Sequence, residues 1–344
     1  MAHQSEAPAT NYEITIGGKA LTQSGAGSVV SLAFEDHLDM IDMVSVRLGG
    51  SLSDAGWSWE IGQEVVLKLG DSATEVFSGE VVALEPQISS AGGSSLLIRA
   101  LDKMHRLGRG RKTQPFEEMS DSDVVSKVGG DAGLSVKVDS TSPKHPYILQ
   151  RNESDFTFLR RLAARNNYLL RIEEGDMIFK KAQFSGTGFE LVIGENVQAF
   201  RLSLNSVDQV QEVIVRGWDS VNKTEIVGTA STSDIDKIGD GELGADIASK
   251  FGDATTYITD IPISDQSMAD VIAKSEINRV ARQYARGGAT IKGNPAVRAG
   301  KLVTFDGLHD GYNGTFYVLS SRHIISTKSG YVTELTFCSN CAGS

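Results

Sequence analysis

Residues Arg151–Lys180 read RNESDFTFLRRLAARNNYLLRIEEGDMIFK, a capped amphipathic helix running into a β-hairpin. Ser154 has the hydroxyl of a good N-cap, and Asp155 falls in the first turn, where the helix dipole favours a carboxylate. Phe158, Leu159 and Leu162 share one apolar face. Arg160, Arg161 and Arg165 lie in the second half, near the negative end, and are expected to face solvent or a neighbouring subunit. Asn166-Asn167 can supply a left-handed stop. YLLRIEEGDMIFKK then alternates around a turn at Glu174-Gly175. Glu153 and Asp155 flanking a serine could instead be acid/base groups, but that chemistry needs burial with a raised pKa, and a helix start accounts for all three.

Outward from this stretch, MSDSDVVSKVGGDAGLSVKVD (Met119–Asp139) repeats the pattern. Ser120 or Ser122 caps, Asp123 sits at the positive end, Val124, Val125 and Val128 form the stripe, and Gly129-Gly130 or Gly133 ends the helix before a short strand. Upstream, YEITI, SVVSLAFED, MVSVRLGG, EVVLKLG, EVFSGEVVALEPQI and SSLLIRALD alternate between turns of Gly, Ser and Asp, the signature of an antiparallel barrel or sandwich. Trp57 and Trp59 share a strand face there and read as core or interface anchors rather than a ligand platform. Downstream, FRLSLNSVDQVQEVIVRGWD (Phe200–Asp219) reads as β, and a helix is predicted over 264–286 before strands resume.

Ile61–Asp102 and Val297–Cys338 follow one plan: Gly, an apolar strand, a turn ending in Gly, a strand, a long connection and a last strand. Identity is low, but the agreement predicts a duplicated β unit.

The 344 residues suffice for several cores, and 36 glycines against 7 prolines favour tight turns between strands. A net charge of -11 opposes nucleic-acid or anionic-membrane binding, which needs basic surface. The basic run Arg106–Lys112 (RLGRGRK) reads as a solvated linker. The first residues lack a basic and apolar leader, and no apolar run reaches membrane-spanning length, so a soluble chain without membrane insertion, made in the cytoplasm, is expected.

Sites of chemistry are sparse. Cys338 and Cys341 form a lone C-x-x-C that could be half a zinc site with His309 and His323, but reads better as two reduced thiols at a strand end. His105, His145, His309 and His323 lie one to an element, and His323 fits a hydrogen-bonded barrel histidine. The sequence contains no G-x-S-x-G elbow, phosphate loop, H-E-x-x-H or EF-type calcium loop. No catalytic residue, cofactor or metal is expected. Residue patterns alone give a β-rich scaffold, and a scaffold needs partners.

Four segments together resemble the tail-hub proteins of contractile injection machines: phage tail hubs, the late-control D protein of P2-like phages, and the hub portion of VgrG from type VI secretion. They are the opening helix-hairpin, the Met119–Val138 helix and strand, EVIVRGWD with Trp218, and the run from Ile277 to Phe337. The residues carrying the resemblance are Glu153, Ser154, Asp155, Phe158, Leu159, Arg161, Leu162, Gly175, Trp218, Gly293, Pro295, Gly300, Gly314 and His323.

The resemblance implies a β-rich α+β chain with two related antiparallel β-barrels, at residues 10–104 and at 201–232 with 288–338. An α+β insertion domain at 105–200 and a helix-bearing insertion at 233–287 complete it. It implies a homotrimer whose six barrels form a pseudo-sixfold ring between a threefold spike protein and the sixfold inner tube protein, with baseplate wedge components, and a tape-measure protein or spike-loaded effector, as further partners. VgrG relatives continue into a spike, whereas this sequence ends at Ser344, so a separate spike or a shortened chain is expected. The competing readings are a cell-wall-degrading enzyme using Glu153, Asp155 or His323, and a glycan-binding adhesin using Trp57 and Trp59.

Overall fold

The computed structural model describes residues 12–21, 28–50, 58–88, 93–263, 265–309, 311–327 and 330–343; Trp57 lies outside them. The first β unit comprises β1 (Tyr12–Ile16), β2 (Lys19–Ala20), β3 (Val29–His37), β4 (Met43–Gly50), β5 (Glu64–Leu69), β6 (Thr74–Gln87) and β7 (Ser94–Asp102). They pair antiparallel in the order β3-β4-β7-β6-β5-β1-β2. Alternation decides which side is inside: Leu32 and Phe34 of β3, Val44, Val46 and Leu48 of β4, and Leu96, Ile98 and Ala100 of β7 all enter one core with Ile14, Ile16, Leu67 and Leu69. The sheet thus curls round its own apolar interior as a barrel. Trp59 packs half-buried against that core, in keeping with an anchor.

After β7 a 3-10 turn, Lys103–Gly108, is capped by Asp102 and buries Met104 and Leu107. The basic run is therefore not a free linker. Arg106 pairs with Glu80, and Lys112 Nζ lies 2.6 Å from Asp155. The middle unit follows: β8 (Lys112–Met119), α1 (Asp121–Asp131), β9 (Val136–Val138), β10 (His145–Glu153), α2 (Asp155–Asn166), β11 (Tyr168–Glu173) and β12 (Asp176–Lys181). Ser120 and Asp123 form a capping box on α1. Phe158, Leu159 and Leu162 of α2 are fully buried with Val124, Val125, Met177 and Phe179.

The chain then enters the second β unit through β13 (Phe189–Val192) and β14 (Val197–Leu204). It leaves for an insertion made of β15 (Glu212–Asp219), β16 (Thr224–Ser231), β17 (Glu242–Leu243), α3 (Gly244–Ala248), β18 (Thr255–Ile258) and α4 (Gln266–Ala281). It returns in β19 (Ala285–Lys292), β20 (Leu302–Asp306), β21 (Gly314–Ser326) and β22 (Gly330–Ser339), ending in β23 (Cys341–Ala342), which pairs with β17. The pairing order is β14-β19-β22-β21-β20-β13, and a bridge between Ile193 and Val197 joins the ends. Its core includes Val303, Phe305, Phe316, Val318, Leu335 and Phe337.

These boundaries correct the expected ones. EVIVRGWD, expected to open the second barrel, is β15, which pairs with β16 and β18 in a separate three-stranded sheet. Its inward residues Val213 and Val215 are covered by Met268, Ala269, Ile272 and Ala273 of α4, so a helix occupies the face a barrel would need. The second barrel draws instead on residues 189–204, 285–292 and 302–339, and the insertion runs over 205–284. Half-exposed β13 and the first half of β14 look like the tail of the middle unit in sequence because their alternation is weak. The helix predicted over 264–286 spans Gln266–Ala281, started by the Asp265 cap.

The duplication extends to individual hydrogen bonds. β3, β4, β7, β6, β5 and β1 occupy the same order as β14, β19, β22, β21, β20 and β13, though β13 runs parallel to β20 where β1 is antiparallel to β5. β6 has a register shift between Val81 and Ala83, and β21 has one between Val318 and Ser320. Gly62 N donates to Val81 O (2.8 Å) and Val81 N to Gln63 O (2.9 Å); Gly300 N donates to Val318 O (2.9 Å) and Val318 N to Lys301 O (2.9 Å). Both glycines have positive φ, +91° and +82°. Gly62 therefore corresponds to Gly300 and Val81 to Val318.

The two barrels are not separate bodies. Ser320–Ser326 of β21 pairs antiparallel with Ser31–His37 of β3, so one 13-stranded sheet runs through both.

Candidate functional site

The β3–β21 seam carries a cluster of buried polar side chains, Asp36, Ser321, His323 and Thr333. Period two places Asp36 on the inward face of β3 behind Leu32 and Phe34, and it is fully buried. One carboxylate oxygen accepts from Arg298 Nε (2.9 Å) and Ala299 N (3.1 Å), and the other accepts from the Ser321 hydroxyl. Burial opposes its ionisation, but Arg298, the Ser321 hydrogen bond and the charge of Arg171 outweigh that and hold it below the usual carboxylate range.

Arg298 sits on the β19–β20 loop, where it also donates to Val76 O (2.9 Å) and lies 4.7 Å from the Phe34 ring centroid. Two more carboxylates complete the cluster. Asp42 accepts from His37 N (3.1 Å), and Asp102 accepts from Asp42 N (2.8 Å) and Met104 N (2.7 Å). Burial, with Asp36 and Asp102 beside it, raises Asp42 to about 8. Burial raises Asp102 to about 6 against those backbone bonds. The middle unit contributes Arg171 of β11, which donates to Ala299 O at 2.6 Å. Residues of both barrels and the middle unit also line a cleft of about 370 Å³, among them Phe77, Asp102, Arg171, Glu174, Pro295 and Arg298.

His323 is buried in the same seam, stacked at 5.7 Å on Phe34. Its Nε2 lies 3.0 Å from Ser321 Oγ, and its Nδ1 lies 2.9 Å from the Tyr331 hydroxyl and 3.2 Å from Thr333 Oγ1. A Ser-His-Asp trio is present, but in the wrong order for a nucleophile. The serine proton is directed at Asp36, leaving Ser321 Oγ to accept from His323, so the imidazole does not act as its base. Desolvation lowers His323 to about 4, keeping it neutral. With all three side chains at most 1% exposed, this geometry fastens strands rather than admitting a substrate.

The sequence-predicted residues fall into two groups, with Gly314 and Trp218 outside both. Gly293, Pro295, Gly300 and His323 gather at the seam. A Cβ on Gly293 would collide with the Tyr331 ring, and one on Gly300 would lie 3.2 Å from Arg171 Nη1. Gly314 starts β21 at φ +139°.

The helix set stays together in the middle unit. Ser154 caps α2 through Thr157 N at 3.2 Å, and Asp155 is held by Lys112 and by Gln150 Nε2 (2.9 Å). Glu153 accepts from Arg161 Nη2 at 2.8 Å, Asn167 closes α2 at φ 55°, and Glu174-Gly175 forms the hairpin turn with φ 51° and 84°. The expectation that all three helix arginines meet solvent or another subunit fails for Arg165. It is mostly buried, bonded to Asp121 beside His145. Arg160 reaches Asp39 at the β3–β4 turn (3.2 Å). Trp218 belongs to neither group; it is 59% exposed on the insertion sheet.

Asp36, Asp42, Asp102, Arg171, Arg298 and Ser321 were not singled out in sequence. One signal was available: Asp36 and Asp102 continue the inward phase of Leu32-Phe34 and Ile98-Ala100, where a carboxylate requires a buried partner. Cys338 and Cys341 are buried free thiols, and burial raises Cys338 to about 11. No group of three or more His, Cys, Asp or Glu among the described residues is arranged to hold a metal ion. No helix among them is long and apolar enough to cross a membrane.

A family model described as the Alg8 N-terminal domain matches residues 9–327. The chain belongs to this family. Comparison with curated proteins returns no match. Among solved structures, this Alg8 N-terminal family member is similar to the 43 kDa tail protein of prophage MuSo2 from Shewanella oneidensis: TM-score 0.71, 16% identity, 96% of this chain and 98% of that one. It is similar to a tail protein from Neisseria meningitidis MC58, with TM-score 0.71, 14% identity, and 96% and 97% coverage. It also resembles the Escherichia coli c3393 protein, described as a type VI secretion component similar to T4 tail proteins gp27 and gp5, with TM-score 0.65, 12% identity, and 95% and 76% coverage. At these identities the likeness is one of fold, and the fold is that of phage tail proteins.

Proposed function

We propose that the chain is a structural, non-enzymatic baseplate hub of a contractile injection machine. Three copies form a ring of six barrels that joins a threefold spike protein to the sixfold inner tube protein. The observation that carries this reading is the duplication: two barrels with one strand order and matched hydrogen bonds, fused edge to edge in a single chain. A threefold body and a sixfold tube share a consistent interface only through six near-equivalent patches, and a duplicated barrel in a trimer supplies them. The fold shared with tail proteins supports the same setting.

The buried, reversed order of Asp36, Ser321 and His323 favours a scaffold over an enzyme. The middle unit braces the ring, baseplate wedge components surround it, and a tape-measure protein or spike-loaded effector passes its axis. Assembly takes place in the cytoplasm before the chain becomes part of a particle. Light scattering on the full chain, alone and with its spike protein, tests the proposal. A trimer is expected in at least one condition, and a monomer in both would refute it.

A further inference from the structure

We infer that the exposed edge of β6 in one copy pairs with the exposed edge of β14 in the next, reproducing between chains the β21–β3 seam within each chain. The inference rests on the hub reading for closure at three copies, but its residues come from the internal repeat.

β21 outruns β20: Gly314–Tyr317 pairs with β20, and Ser320–Ser326 then takes β3 as its neighbour opposite β22. β6 has the same shape. Thr74–Glu80 pairs with β5, and Ala83–Gln87 has β7 on one side and no strand partner on the other among the described residues. β3 corresponds by sheet order to β14, whose described partner is β19. The matched registers align Val81 with Val318 and Phe34 with Leu202, so Ser321 against Asp36 becomes Leu84 against Leu204 of the next copy.

Burial supports this alignment. Leu32 and Phe34, on the strand that the seam covers, are fully buried, whereas their counterparts Phe200 and Leu202 are only partly buried. Buried Asp36 corresponds to Leu204, 37% exposed; buried Ala299 corresponds to Ile61, 69% exposed; Ile325 corresponds to Ile88, 66% exposed. Of the polar clasp, Asp36 and Ser321 give way to Leu204 and Leu84 and Arg298 to Glu60, and Leu204, Ile61 and Ile88 are apolar side chains left in water. Seating a second copy covers them, and a head-to-tail contact between unlike edges repeats around a ring. Pro86 offers no N–H, so this ladder carries fewer bonds than the internal one and leans on its apolar contacts.

The test is a disulfide trap in the full chain, with its spike protein present if that is needed for assembly. Leu84→Cys with Leu204→Cys should yield a reducible covalent trimer under mild oxidation, absent from either single variant. Ile88→Glu, at an exposed position, should raise the trimer dissociation constant about tenfold or more while leaving monomer unfolding unchanged. Trimers that form without the cross-link and tolerate Ile88→Glu would overturn this pairing and leave the hub reading standing. A chain monomeric in every condition would overturn both.

Discussion

Arg298 and Arg322 each pair with a carboxylate of β3, yet their removal should differ several-fold in free energy. Arg298 is 19% exposed and faces Asp36 at 2.9 Å, while Arg322 is 49% exposed and faces Glu35 at 3.1 Å. Replacing Arg298 with Leu leaves a fully buried carboxylate with only the Ser321 hydroxyl and Ala299 N as partners. Stranding a buried charge in this way costs about 3–5 kcal/mol. Replacing Arg322 with Leu removes a solvated pair worth about 0.2–1 kcal/mol. Hydrogen exchange of the β3 and β21 amides reads the seam directly. For Arg298→Leu, protection should fall by roughly two to nearly four powers of ten at neutral pH, and for Arg322→Leu by less than about tenfold.

The pH dependence has a definite sign. In the native chain Asp36 is held low, so its contribution is present above the ordinary carboxylate range and lost as pH falls. Without Arg298, burial dominates and raises Asp36, so the variant's defect should be smaller at pH 5 than at pH 8. Equal exchange in the two variants, or a defect independent of pH, would refute the assignment of the seam to this buried pair.

Other outcomes follow from the same geometry. Asp42 is raised to about 8, so the fold retains a proton that the unfolded chain releases, and its contribution to stability should decline from about pH 4 to 8. Asp42→Asn should flatten that decline above pH 6.5, where His323 no longer opposes it, as read by thermal unfolding across pH. Gly293→Ala should destabilise by more than about 2 kcal/mol in denaturant unfolding, since its Cβ meets the Tyr331 ring, whereas Gly175→Ala, in open space at φ +84°, should cost only about 1–2 kcal/mol. Asn167→Ala should lower stability by about 1–2 kcal/mol, from the left-handed stop and the lost 2.6 Å bond from Arg282, while Asn167→Gly should cost less.

Local rules made much of the fold readable. Ser154, Asn167 and Glu174-Gly175 act where capping and turn chemistry place them, because those preferences depend on a few adjacent atoms. The repeat was readable from Gly62 and Gly300, whose positive φ recurs at matched turns. Strand destination was not. Glu212–Asp219 has the alternation of a barrel strand, but α4 covers its apolar side, and alternation says nothing about what covers it. The seam was the least legible feature. Asp36 and Arg298 are 262 residues apart, and only the inward phase of Asp36 hinted that a distant cation was required.

Cryo-electron microscopy of the full chain assembled with its tube and spike proteins would show the ring itself. Three copies should form six barrel lobes at the tube end, alternately joined by β21–β3 within a chain and by β6–β14 between chains. A ring with three lobes, or six copies of the chain, would contradict this arrangement.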